Sequence, residues 1–274
     1  MDKLAEFVSQ HMSDDTARLI MNRSKWPETD IDLAVNCIES RRKLKGKVRE
    51  WYENPSLIFP LKLSAEQCSS SATGAYKAAL AERIAGTDKG WRLADLTGGL
   101  GVDSWFFSQR ASKVIYNEMQ QALCDAARHN FKTLGATNIT ISNGIASEDT
   151  ISEILFENVD IVYMDPARRG EGGKKVFLLE DCTPDVLTLK DIIFRHARHI
   201  LLKLSPMADI TMACSRLGDS CREVHVVGAG GECKELLIWM DKEWNEEYTI
   251  ISTELHPGAP LSIFSFNPSE EKSA

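Results

Sequence analysis

From Arg92 onward, short apolar runs alternate strictly with segments of helical period, and this alternation constrains the fold more than any other feature of the chain. Runs with the length and β-branched content of buried strands fall at 92–97, 113–118, 139–142, 159–165 and 199–204. Between and after them, apolar residues at a 3.6-residue period predict helices over 103–110, 120–134, 147–156 and 208–217. Thr183-Pro184 reads as the N-cap and first-turn proline of one more helix, running to about Ala197. Strands alternating with helices call for a parallel sheet covered on both faces. Two last strands follow at 223–227 and 235–241. The residues between them are too few for a crossover helix, so they are expected to form an antiparallel hairpin at the sheet edge.

The first 88 or so residues differ in texture. Leu4, Phe7, Val8 and Met12, and again Ile31, Ala34, Val35 and Ile38, recur at helical spacing. Thr29 with Asp32, and Ser64 with Gln67, have the spacing of capping boxes. The whole chain carries 32 Lys+Arg against 40 Asp+Glu, a net charge of −8. Such a field repels phosphate, so a nucleic-acid partner would need a local basic patch. Two candidates exist. Six of the nine residues from Arg41 to Arg49 are basic, and Arg168, Arg169, Lys174 and Lys175 flank a glycine-rich loop. The start of the chain is acidic rather than signal-like, and no apolar run approaches the roughly 20 residues that span a bilayer. Seven cysteines without a C-x-x-C spacing read as reduced thiols. The expectation is a cytoplasmic protein with no membrane partner. His196 and His199 lack a third ligand, so no metal site is expected.

Three motifs carry chemistry. The first is Asp95-Leu-Thr-Gly-Gly-Leu-Gly101-Val-Asp103, after a strand and before a helix. Glycines there let backbone approach a ligand, and the helix start offers free N–H donors. A dinucleotide fingerprint would need glycine at position 104, which is Ser104. The second is Glu118, ending the next strand 23 residues after Asp95, where a carboxylate can accept both hydroxyls of a ribose. The third is a strand that ends in Asp165-Pro166-Ala167-Arg168-Arg169. Proline fixes the chain as it leaves the sheet and aims Asp165 at whatever lies over a cofactor's reactive end.

Together these resemble motifs I, II and IV of the class I S-adenosylmethionine-dependent methyltransferases. With Leu202-Lys-Leu-Ser-Pro206 added, the chain resembles, over about residues 60–245, the bacterial THUMP-like methyltransferases. The resemblance implies a Rossmann-like, seven-stranded α/β methyltransferase sheet, its last two strands a hairpin, with a small N-terminal helical domain. The corresponding boundaries are 1–62 for the helical domain, 63–248 for the methyltransferase domain and 249–274 for an extension. That extension is expected to begin a further, truncated THUMP-like module. The implied cofactor is S-adenosyl-L-methionine. Gly98, Gly99 and Gly101 would line its methionine moiety, with Asp95 beneath, near the ammonium group. Glu118 would hold the ribose, and Asn143-Gly144 would meet the adenine. Thr97, Asp103, Met119, Asp165 and Thr73 complete the expected contacts, with Ser69 a further candidate. Asp165, Pro166, Arg168 and Lys203 are the expected catalytic residues, and Arg168, Arg169, Lys174 and Lys175 the expected substrate contacts.

The acceptor is less constrained. Enzymes that methylate exocyclic base nitrogens carry Asp-Pro-Pro-aromatic, whereas Ala167 and Arg168 occupy the last two places here. No cysteine adjoins Asp165 for carbon methylation. Ribose methylation uses a Lys-Asp-Lys-Glu set. Asp165, Lys203 and Glu235 supply three members in order, with Lys62 or Lys77 open for the first. The expectation is a methyltransferase acting on ribosomal or transfer RNA, with a monomer compatible with the sequence. A methyltransferase of a small molecule or protein, or a non-catalytic binding module, is the alternative.

Overall fold

The computed structural model describes residues 3–86, 90–168, 179–256 and 262–270. Six helices come first: α1 (Lys3–Gln10), α2 (Thr16–Met21), α3 (Ile31–Leu44), α4 (Arg49–Tyr52), α5 (Lys62–Gln67) and α6 (Ser71–Ala85). The expected caps move. Asp30, not Thr29, caps α3 by accepting from the Leu33 N–H, and Ser64 lies inside α5. The capping box is instead Ser70 with Thr73, at the start of α6.

The alternating part runs β1 (Arg92–Asp95), α7 (Val102–Ser108), β2 (Lys113–Glu118), α8 (Gln121–Thr133), β3 (Ile139–Asn143), α9 (Ile151–Ile154) and β4 (Ile161–Met164). Two short strands, β5 (Ala167–Arg168) and β6 (Cys182–Thr183), pair with each other, so Thr183 does not cap the next helix. Asp185 does, by accepting from the Thr188 N–H, and α10 covers Val186–Ile193. Then follow β7 (His199–Leu204), α11 (Ile210–Leu217), β8 (Cys221–Ala229), β9 (Glu232–Asp241), β10 (Thr249–Leu255) and β11 (Ser262–Phe266).

One mixed sheet has the order β11-β10-β8-β9-β7-β4-β1-β2-β3. It has nine strands rather than the expected seven. The β8–β9 hairpin is antiparallel as expected, but it lies inside the sheet. β9 pairs with β7, and β10 runs parallel along the outer side of β8. The hydrophobic run Thr249-Ile-Ile thus finishes the sheet, and β11 returns antiparallel beside it.

Alternate residues along each strand feed opposite faces. Leu93, Tyr163 and Trp239 join a cluster with Phe106, Phe107 and Phe131 of α7 and α8 and with Phe7, Ile38 and Trp51 of the helical front. Ala94, Val162 and Ile238 join the other cluster, with Ile151, Leu189 and Leu217 of α9, α10 and α11. The front helices and one sheet face therefore share a single contiguous core. β1 lies between β4 and β2, where the strand order reverses. In open α/β sheets ligands sit beyond the carboxyl ends of the strands at this place.

Candidate active site

A cleft of about 230 Å³ opens beyond the ends of β1, β2, β3 and β4. Asp95, at the end of β1, is almost wholly buried. Its carboxylate accepts from the Thr97 N–H at 3.0 Å and from the Ser104 hydroxyl at 2.6 Å. Burial pushes its pKa up to about 7, against the pull of those two donors. Ser104, the residue that breaks the dinucleotide fingerprint, thus anchors the turn from the first helical residues of α7.

The glycine turn is shaped by its surroundings. A Cβ on Gly98 would run into the Tyr116 ring, and Gly101 has φ +93°, with a Cβ there meeting Phe131 at 2.8 Å. The Tyr116 hydroxyl donates to the Gly99 carbonyl at 2.6 Å. Glu118 then holds the turn from the other side. One carboxylate oxygen accepts from the Gly99 N–H at 3.0 Å and the other from the Gln120 N–H at 2.8 Å. Thr97 ties β1 to β4, because its hydroxyl accepts from the Asp165 N–H at 2.7 Å.

Of the residues expected to touch a cofactor, Asp95, Thr97, Gly98, Gly99, Gly101, Asp103, Glu118, Met119, Gly144 and Asp165 line this cleft. Two do not. Thr73 is buried in the α6 cap, its hydroxyl accepting from the Ser70 N–H at 3.0 Å. Asn143 donates to the carbonyls of Glu118 and Met119 at 2.8 and 3.3 Å, so it sets the turn after β2 rather than facing the cleft. Ser69 does line the cleft and donates to Asp103 at 2.9 Å. Asn117 was not anticipated. Its amide donates to the Leu96 carbonyl at 3.2 Å and the Gly144 carbonyl at 3.0 Å, fixing two walls at once.

At the reactive end, Pro166 is buried and Ala167 lines the cleft. Arg168 closes β5. Arg169, Lys174 and Lys175 lie outside the described residues. Lys203 Nζ is 2.5 Å from Asp165 Oδ2. Lys62 is exposed and pairs with Glu39 on the surface, whereas Lys77 is fully buried and binds Glu235 at 2.7 Å. Of the two open lysines, Lys77 is therefore the one brought to the site. The basic run 41–49 is largely consumed within the helical front. Arg41 donates to the carbonyls of Asn54 and Tyr52, Arg42 to those of Met12 and Asp14, and Lys47 to that of Glu66. Lys43 and Arg49 pair with Glu66 and Glu53. Among the described residues no group of three or more His, Cys, Asp or Glu could hold a metal ion, and no helix is long and apolar enough to cross a membrane.

These residues fit S-adenosylmethionine. The floor at Gly98 has no room for a side chain, Glu118 lines the cleft at the end of β2, and Leu96, Leu123, Ile145 and Ala146 supply apolar walls for a base. No family model matches the chain, and no curated protein sequence does. Solved structures do. A protein from Porphyromonas gingivalis W83 assigned as a methyltransferase superposes with a TM-score of 0.80 at 29% identity. The match covers 98% of this chain and 65% of that one, so this chain spans under two-thirds of its length. A protein from Listeria monocytogenes assigned to the class I S-adenosylmethionine-dependent methyltransferases superposes with a TM-score of 0.54 at 12% identity, over 92% of this chain and 93% of that one. The chain has the fold of the class I S-adenosylmethionine-dependent methyltransferases.

Proposed function

We propose that the protein is an S-adenosylmethionine-dependent methyltransferase that modifies RNA in the cytoplasm. The observation that carries the activity is one cleft with Glu118 at one end and Asp165 at the other, joined by the glycine turn. The cofactor supplies an electrophilic methyl group on a sulfonium. The protein's part is alignment and proton management. Glu118 accepts the ribose hydroxyls, and the Gly98–Gly101 backbone lies close against the amino-acid end. Asp95 meets the ammonium group. Asp165 faces the acceptor and takes its proton.

Support for RNA comes from the basic residues that follow Asp165 in sequence, since arginine forks suit phosphates. The internal pairing of the 41–49 run favours the second reading, a small-molecule or protein acceptor, because it leaves that run few free charges. Calorimetry with S-adenosylhomocysteine tests the cofactor assignment. Binding is expected, and Glu118→Ala is expected to weaken it at least about 10-fold, the scale of a charge-assisted hydrogen bond. An affinity unchanged by that substitution removes the assignment. Methyl incorporation that survives ribonuclease treatment favours the second reading.

A further inference from the structure

A sealed cluster of charge lies beneath Asp165. Lys77 of α6, fully buried, binds both oxygens of Glu235 on β9 at 2.7 and 2.9 Å and the Ser69 hydroxyl at 2.9 Å, and lies 3.4 Å from Asp103. Asp103 also accepts from Tyr163 at 2.9 Å. Lys203 completes the cluster through Asp165. Of these five charged groups Asp165 is the most open, its side chain 38% exposed, with Lys203 at 13%. Burial works against a charged Lys203. The carboxylates of Asp165, Asp103 and Glu235 outweigh burial and hold its ammonium above the usual lysine range. Lys203 is thus a cation in contact with the carboxylate that faces the acceptor.

Given the methyltransferase reading, on which this rests, we infer that the methylated atom is the hydroxyl oxygen of an alcohol and not an amine nitrogen. A neutral amine that attacks a methyl sulfonium builds positive charge on nitrogen. An ammonium held at contact distance from the proton acceptor offsets that carboxylate's attraction for a cationic nitrogen. An alcohol must lose its proton and builds negative charge on oxygen, which the same ammonium stabilises. In the step, an oxygen lone pair forms the O–CH3 bond while the C–S bond breaks, its electron pair staying on sulfur. The O–H proton passes to Asp165, which Lys203 keeps aligned through its other side. Ala167, the cleft residue next to Pro166, supplies no ring to stack on a base, in keeping with an acceptor recognised at a hydroxyl.

The test incubates the purified protein and tritiated S-adenosylmethionine with the RNA, protein and small-molecule fractions of a strain lacking it. The labelled product is then identified by mass spectrometry. A methyl ether is expected. A methyl group on nitrogen or carbon overturns the inference and leaves the methyltransferase reading standing. No label in any fraction removes that reading and the inference with it. On the labelled fraction, Lys203→Met is expected to lower kcat about 100-fold and to move the acid limb of its pH profile upward. S-adenosylhomocysteine affinity by calorimetry is expected to stay unchanged. Lys203→Arg, which keeps the charge, recovers part of the rate. A Lys203→Met variant as fast as the wild type overturns the inference.

Discussion

Asp95 and Gly98 show how single residues set the site. Burial raises the Asp95 pKa to about 7 in the folded state, against the ordinary 3.8. The folded protein therefore holds that proton where the unfolded chain has released it. The stability linked to Asp95 is complete below about pH 4 and is lost as the pH climbs to about 7. Asp95→Asn is expected to remove this slope, read as thermal midpoints across that range for the two proteins. A cofactor ammonium would favour the ionised carboxylate, so affinity for S-adenosylhomocysteine is expected to rise from about pH 6 to about pH 8. Gly98 is constrained by space instead. The ring that a new Cβ would strike is held through its hydroxyl by Gly99, and cannot swing aside without giving up that bond. Gly98→Ala is expected to cost about 1–3 kcal/mol in thermal or urea unfolding and to abolish cofactor binding.

At the scale of elements, the buried Lys77–Glu235 pair fastens α6 to β9. Removing one partner leaves a buried, uncompensated charge, typically worth roughly 3–5 kcal/mol. Lys77→Met is expected to destabilise by about that much in urea unfolding, and Lys77→Met with Glu235→Leu to recover most of it. A Lys77→Met variant as stable as the wild type would show that the pair contributes nothing. This pairing also marks where sequence stops being legible. Of the three strands that carry the motifs, β2 has the expected bounds, 113–118, whereas β1 and β4 end at Asp95 and Met164, short of the expected 97 and 165, because the chain turns as soon as the apolar run gives way to a carboxylate. β7 has the expected bounds, since its run His199–Leu204 is apolar except at His199 and Lys203. Contacts between Lys77 and Glu235, 158 residues apart, leave no local signature. Thr73 has the composition of a ligand contact but serves a cap, a choice that local hydrogen bonding decides. The basic run 41–49 looks like a binding face in one dimension. In three, backbone carbonyls from neighbouring helices take up its arginines.

For the whole molecule, the shared core matters most. The helical front and the sheet bury one cluster, from Phe7 and Trp51 to Tyr163 and Trp239. Cutting at residue 62 would expose the apolar face that Ile38, Leu44, Trp51 and Phe59 cover. The full chain is expected to unfold in a single calorimetric transition, and a 63–274 fragment to lack a cooperative one. Two separated transitions in the full chain would contradict this. The count of strands followed from the same scale. Residues 249–266 add to the sheet because β8, left at its edge, would present a long unpaired strand.

The span between Lys77 and Glu235 also has a consequence in time. Synthesis at roughly 5–20 residues per second leaves on the order of 10–30 s between the two residues. For that interval the emerging chain holds a lysine destined for the interior with Asp103 as its one available carboxylate and its closer partner still to come. The glycine turn, Glu118 and Asp165 all leave the ribosome earlier than Glu235, yet Lys77 and β7 gain their β9 partners only when that strand arrives. A nascent chain stalled before residue 235 would carry the glycine turn, Glu118 and Asp165 and still leave Lys77 without its nearest carboxylate.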